Sequence, residues 1–273
     1  MAKTAIIITS DQHINSTLAL CPPRVQLDDG GSYIASPTQR WLWQMWNEYI
    51  EWARDASAGY KPIAVFNGDL GELDTKKRSN QLVSMNKATV LNMITEALEP
   101  LTSWVDANYF IRGTPAHVGK SSWLEEVAAD YTNTVWQSKG IKSHYQVRLN
   151  ADKVRVDIAH HSNMGSLRRT AKNAANTLAH DTMEDYIFDL HAQIPNLVIR
   201  SHNHRWADSG DNFDTRAVLI PCWAAANEYL FRLGKYNGRG DVGGVVVLCD
   251  NGEFEVRKFK REPKRGNVWA MQA

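Results

Sequence analysis

Apolar residues in this chain come in short runs that end abruptly in polar ones. Residues 4–9 (TAIIIT), 62–66 (PIAVF), 108–111 (NYFI), 153–159 (KVRVDIA) and 196–200 (NLVIR) read as strands. The alternation in 144–149 pairs that segment with 153–159 as a hairpin. Residues 215–220, 243–249 and 253–260 close the chain as strands, with Asn251-Gly252 as the turn between the last two. Helical spacing predicts a helix capped by Thr38 and running to about Ala58, with Leu42, Trp46, Tyr49, Ile50 and Ala53 on its buried face and Trp43 outside it. Further helices are expected over 80–106, over 121–131 with Ser at its start, and from about Ser166 to His191. Residues 14–37, with Pro22, Pro23, the DDGG at 28–31 and Pro37, read as a long loop that covers a site or makes an interface. The order is β-α-β-α-β first and mostly strands later. It predicts an α/β (α+β) domain over 1–273, with insertions at about 14–37 and 165–192.

Composition narrows the class. A net charge of +1 argues against a coat for nucleic acid or a strong hold on an anionic membrane. Three cysteines without a CxxC pair make no disulfide framework. Cys222 reads as a small buried apolar residue. The apolar run before Asp11 is too short for a signal-peptide core, and no stretch is long enough to span a bilayer. The expected setting is therefore cytoplasmic. Gly-x-Ser-x-Gly is absent, and GRGDVGG at 238–244 matches neither a P-loop nor a dinucleotide fingerprint.

The chemistry sits just past the strands. The first ends in Asp11 and His13, the second in Gly68 and Asp69, and the third in Gly113 and, after Thr114-Pro115-Ala116, His117. The 153–159 strand ends in His160 and His161, and the 196–200 strand in His202 and His204. Strand ends of an α/β sheet gather along one edge, where ligands bind. Each motif alone is weak. Together, carboxylates and imidazoles without thiolates suit Mn, Fe or Zn better than Ca or a structural thiolate site.

The order D-x-H, G-D, G-x-x-x-H, H, H-x-H resembles that of the calcineurin-like metallophosphoesterases, over residues 11–204. The resemblance implies a four-layer αββα sandwich, two mixed sheets flanked by helices. It implies two divalent metal ions, Mn favoured, and phosphoester hydrolysis by metal-activated hydroxide. By position, Asp11, His13 and His204 would hold one metal, Asp69 would bridge, and His160 and His202 would hold the other. The family has Gly-Asn-His at its third block. Here Thr114 stands in the Asn position and His117 comes two residues late. Either His117 replaces the Asn as a ligand to the second metal, the reading favoured, or it is the phosphate-side acid. His160 is favoured over His161 as ligand, which leaves His161 to face the substrate or hold the loop; His161, like His117, is a candidate to protonate the leaving oxygen.

Arg168, Arg169 and Lys172 fall one turn apart, and Arg205 follows His204; these cations are candidates for phosphate binding. They favour a phosphodiester of nucleotide or nucleic-acid type. A phosphomonoesterase or protein phosphatase, a single-metal hydrolase, and a binding protein that has lost efficient catalysis are the alternatives. The basic stretch 257–265 reads as a solvated end or a weak, salt-sensitive grip on nucleic acid.

Overall fold

The computed structural model describes residues 2–73, 81–162, 173–187, 193–225 and 240–263. The first half holds β1 (Thr4–Thr9), β2 (Arg24–Gln26), β3 (Ser32–Ile34), α1 (Pro37–Ala56), β4 (Lys61–Asn67), α2 (Lys87–Thr102), β5 (Ala107–Ile111), α3 (Pro115–Val118) and α4 (Trp123–Ala128). The second holds β6 (Ser143–His144), β7 (Gln146–Ala151), β8 (Val154–Ala159), α5 (Ala174–Ile187), β9 (Leu197–Arg200), β10 (Ala207–Asp208), β11 (Arg216–Leu219), β12 (Val242–Asp250) and β13 (Glu253–Arg261).

Two mixed sheets result. One runs β13-β12-β1-β4-β5-β6, the other β10-β11-β9-β8-β7. In the first, β1, β4, β5 and β6 are parallel and β12 and β13 antiparallel. In the second, β8, β9 and β11 are parallel. Side chains alternate across a strand, so β1 serves two cores. Ala5 and Ile7 pack with Leu42, Trp46 and Tyr49 of α1 and with Val90, Ile94 and Leu98 of α2. Ile6 and Ile8 pack between the sheets with Val156, Ile158, Leu197 and Ile199. Each fully buried isoleucine contributes about 1.5–3 kcal/mol. On the far side, Leu178 and Ala179 of α5 cover Val198, Ala217 and Leu219. The layers are therefore helix, sheet, sheet, helix: the αββα sandwich that the motif order implied.

Several local expectations are corrected. Residues 14–37 are not one loop. They contain the β2-β3 ribbon and bury Ala19, Leu20, Cys21 and Val25, so apolar burial fixes a segment that its prolines and glycines mark as irregular. Helix α1 is capped by Ser36, not Thr38. The Ser36 hydroxyl accepts from the Gln39 N–H, the Gln39 side chain accepts from the Ser36 N–H, and Pro37 sits where its missing N–H costs nothing. Helix α2 starts at Lys87, not 80, because Asn86 accepts from the Ala88 and Thr89 N–H groups. Among the described residues of 121–131, α4 begins only at Trp123, since Ser121 and Ser122 have left-handed backbone. Trp43 rests partly buried against the first core. Of the helix expected over 166–191, Ala174–Ile187 is seen. Arg168, Arg169, Lys172 and His191 lie outside the described residues.

Candidate metal centre

The loops after β1, β4, β5, β8 and β9 meet at one edge. Asn67, the last residue of β4, joins the two sheets there. Its amide donates to the Ala159 carbonyl at 3.1 Å and to Ser201 Oγ at 2.9 Å. Its carbonyl accepts from Ser10 Oγ at 2.6 Å and from His160 Nδ1 at 2.7 Å. Backbone bonds from Asp11 N–H to Gly68 O and from His13 N–H to Asp69 O hold the first two loops together.

Two overlapping groups of ligand atoms form. Asp11, His13 and His204 make one; Asp11, Asp69, His160 and His202 make the other. His204 Nε2 lies 3.1 Å and His13 Nε2 3.8 Å from Asp11 Oδ1. His160 Nε2 lies 3.0 Å and His202 Nδ1 3.8 Å from Asp69 Oδ2. The carboxylate common to both groups is Asp11, where Asp69 was expected to bridge. Asp11 Oδ2 is taken by Ser10 Oγ and the His202 N–H, so Oδ1 is the oxygen turned to the imidazoles.

Two glycines make room. A Cβ on Gly68 would lie 2.5 Å from His160 Nδ1, and one on Gly113 would lie 2.2 Å from the Asp69 nitrogen. Five of the candidate ligands are held in left-handed backbone: Asp11 (φ 53°), His13 (44°), Asp69 (52°), His202 (69°) and His204 (54°). Each such residue costs on the order of 1 kcal/mol, a strain typical of functional sites.

The donor set fits a divalent cation. His160 is 1% exposed, and because its Nδ1 donates to Asn67 O, Nε2 is the nitrogen turned to the carboxylates. That Nε2 has no hydrogen bond; its 3.0 Å contact with Asp69 is too poorly aligned to be one. A lone pair facing carboxylates calls for a positive charge between them. Without metal that charge is a proton. Burial would lower the His160 pKa, but Asp11 and Asp69 raise it to about 9. For His204, burial acts downward too, yet Cys222 and Asp11 hold it well above the ordinary value. The carboxyl groups mirror this: burial alone would raise Asp11 and Asp69, while His204 and His160 around Asp11, and His160 and His202 around Asp69, hold both low. Divalent binding would displace these protons.

The third block resolves differently from the favoured reading. His117 does not join Asp69, His160 and His202. It sits in the single turn α3, where Pro115 supplies a ready-made first helical position, and it groups with His13 and Glu72. Its Nδ1 lies 2.8 Å from Glu72 Oε2, and His13 Nδ1 lies 3.1 Å from the same oxygen. Thr114 takes the position beside Asp69. Its N–H donates to Asp69 Oδ1 at 2.5 Å, and its hydroxyl lies 3.1 Å from Asp69 Oδ2, 3.2 Å from His161 Nε2 and 3.4 Å from His202 Nδ1. His161 is exposed and stands edge-on to His160, with ring centroids 4.7 Å apart; His160, His161 and His202 also form a group able to hold an ion. Burial, His160 and His202 lower its pKa. Arg205 is half-buried next to His204.

Sequence reading passed over Asn67, Glu72 and Glu125. Glu72 lies three residues past Asp69, in GDLGE, and that spacing was the available signal. Burial would raise its pKa; His117 and His13 bring it down to about 2. Glu125 of α4 is fully buried, accepts from the Leu70 N–H at 3.4 Å, and is pushed up to about 8 by burial and by Asp69. Nothing in the sequence around it marks it.

Comparison with known protein families and with curated proteins finds no match. Among solved structures, the chain is similar to a conserved uncharacterized protein of Streptococcus pneumoniae described as a predicted phosphoesterase, at 10% identity and TM-score 0.38, covering 96% of this chain and 99% of that one. It is similar to Vacuolar Protein Sorting 29 of Cryptosporidium parvum at 10% identity and TM-score 0.38, with 96% and 100% covered. A double mutant of Vps29 from Entamoeba histolytica matches at 8% identity and TM-score 0.41, with 95% and 100% covered. Likenesses at this level leave the function to the geometry of the centre. Fold and centre define an αββα sandwich with a carboxylate–imidazole site able to hold divalent metal at the carboxyl ends of its strands. Among the described residues, no helix is long and apolar enough to cross a membrane.

Proposed function

We propose that this chain is a metal-dependent phosphoesterase that holds two divalent cations, Mn favoured, and hydrolyses a phosphodiester of nucleotide or nucleic-acid type. The observation that carries the reading is the pair of overlapping ligand groups sharing Asp11, with a His117–Glu72 pair beside them. A cation pair of this kind polarises a phosphate and acidifies a water between its members. His13 and His204 would hold one cation, and Asp69, His160 and His202 the other, with Asp11 Oδ1 facing both sets.

The remaining roles belong to the chain's own groups. Glu72 binds His13 Nδ1 and so turns His13 Nε2 toward Asp11. The same carboxylate holds His117 Nδ1, which leaves His117 Nε2 to carry a proton toward the leaving oxygen. Burial would lower the His117 pKa, but Glu72 and Asp69 raise it, which favours the acid form. Burial, His160 and His202 shift His161 the opposite way, which suits it to be a hydrogen-bond partner to substrate rather than the acid.

The sign for Glu72→Gln follows. The proton on His117 is present below its folded pKa and lost as pH rises through it. Removing the carboxylate lowers that pKa, so the alkaline limb of the rate profile moves to lower pH. With an alkyl leaving group, the loss of general-acid help is about 10²-fold or more. A p-nitrophenyl leaving group, which needs no proton, feels only the looser hold on His13, so its loss is smaller and its alkaline limb does not move. Paired pH–rate profiles for the two substrates check this.

The direct test is metal content after Mn reconstitution, with hydrolysis of bis(p-nitrophenyl) phosphate and p-nitrophenyl phosphate. Near two ions per chain and faster diester turnover support the reading. One ion with turnover points to a single-metal hydrolase, and no ion with no turnover sinks the enzyme.

A further inference from the structure

Beyond the metal centre, one surface stands apart. Five of the eight exposed large apolar residues among those described lie between positions 131 and 145: Tyr131, Val135, Trp136, Ile141 and Tyr145. Trp136 is 51% and Tyr145 70% exposed. Residues 131–151 carry Lys139, Lys142 and Arg148 and no Asp or Glu. The cations stand against the rings: Arg112 lies 4.1 Å from the Tyr145 centroid, and Lys142 lies 5.5 Å from that of Trp136. Lys142 is also paired with Asp130, whereas Lys139 is exposed at the tip of the segment.

The strip leads to the centre. Strand β6 is the edge of the first sheet, and its His144 lies opposite Ile111. Arg112 is fixed by its N–H bond to the His144 carbonyl and by its side-chain bond to Ser143 Oγ at 3.1 Å. The next two residues are Gly113, which abuts Asp69, and Thr114, which donates to it. A ligand lying along β6 from Trp136 past Tyr145 therefore arrives at the Asp69 side of the centre. The two residues of β6 together with Tyr145 span about 10 Å, enough to place more than one base.

We infer that this edge binds single-stranded nucleic acid, with bases stacked on Tyr145 and Trp136 and the backbone followed by Arg112 and Lys139. Exposed rings interleaved with cations are what an unpaired strand needs. Every base offers a face to stack on, and each phosphate a charge to meet. A duplex hides its bases and leaves the rings without a partner. The inference rests on the phosphoesterase reading for what happens to the strand, but not for its binding.

The test separates the two. Fluorescence anisotropy of a labelled oligothymidylate is measured in EDTA, where no hydrolysis occurs, for the full chain and for Tyr145→Ala, Trp136→Ala and Lys139→Glu. Stacking worth about 1–3 kcal/mol per base sets the expectation: each ring substitution weakens binding by about 5- to 150-fold, and Lys139→Glu weakens it with a shallower salt dependence. A matching duplex binds more weakly. Unaltered melting temperatures and unaltered bis(p-nitrophenyl) phosphate turnover in the same variants show that the fold and centre are untouched. Three results overturn the inference: no binding by the full chain, binding indifferent to all three substitutions, or a self-association, seen in the ultracentrifuge, that the ring substitutions abolish. If oligothymidylate binds as expected while no diester is cleaved with Mn, the strip stands and the phosphoesterase reading fails.

Discussion

Asp11→Asn is expected to strip the centre of both cations, and Asp69→Asn of one. Asp11 Oδ1 faces His13, His204 and His160, while Asp69 stands against His160, His202 and Thr114. An amide in place of Asp11 removes the one carboxylate common to the two ligand groups and sets a neutral group against imidazoles tuned to a charge. Turnover falls by on the order of 10³-fold, the scale seen when a preorganised electrostatic partner is lost. The protein without metal responds less, so thermal melting with and without Mn separates binding from folding. Ligand at about 100 times its Kd adds about 2.7 kcal/mol to the wild type, and Asp11→Asn forfeits that gain. Metal analysis gives the stoichiometry. If Asp69→Asn loses both ions and Asp11→Asn only one, the roles drawn here are reversed and Asp69 is the bridge.

Gly113→Ala carries the second large effect, through shape alone. The added methyl would stand 2.2 Å from the Asp69 nitrogen and 2.4 Å from its Oδ1, with the Asp69 Cα at 2.9 Å. No flexible side-chain end is available to yield, so the loop after β5 must back away from the loop after β4. Overpacking of this kind costs about 1–3 kcal/mol, a fall in Tm of about 2–4 °C per kcal/mol in a chain of this size. The larger loss is functional, because the displaced loop carries the Thr114 N–H that fixes Asp69. Gly59→Ala is the comparison. Gly59 has a left-handed backbone (φ 84°) with nothing within 4 Å, so its alanine variant bears only the backbone cost of about 1–2 kcal/mol and keeps full metal binding. Equal metal affinity in the two variants would refute the role given to Gly113.

The candidate positions of the centre are legible in the sequence because each is a polar residue that follows an apolar run. Thr4–Thr9 must be buried on both faces, so Asp11 and His13 stand out as the first residues free to do something else, and the same holds for Asp69, His160 and His202. What escaped depends on contacts between segments far apart in the chain. Glu72 matters because His13 and His117 arrive from two other loops, and Asn67 because the second sheet presents Ala159 and Ser201 to it. Glu125 looks like an ordinary first-turn acid of a short helix until α4 is seen to bury it under Leu70. Thr38 was a plausible cap by type, but Ser36 precedes a proline that can only begin the helix. The short β6 is set by its neighbour β5, with too few residues for any period to show.

The left-handed backbone at Asp11, His13, Asp69, His202 and His204 has a consequence for any attempt to improve this protein. Five strained positions at about 1 kcal/mol each weigh heavily against a net stability of roughly 5–15 kcal/mol. Glycine at these sites would relieve that burden, and it would delete the ligand at the same stroke. A directed-evolution campaign scored on heat resistance alone would therefore be drawn to these five codons early, and its most robust survivors would be the ones that had stopped working.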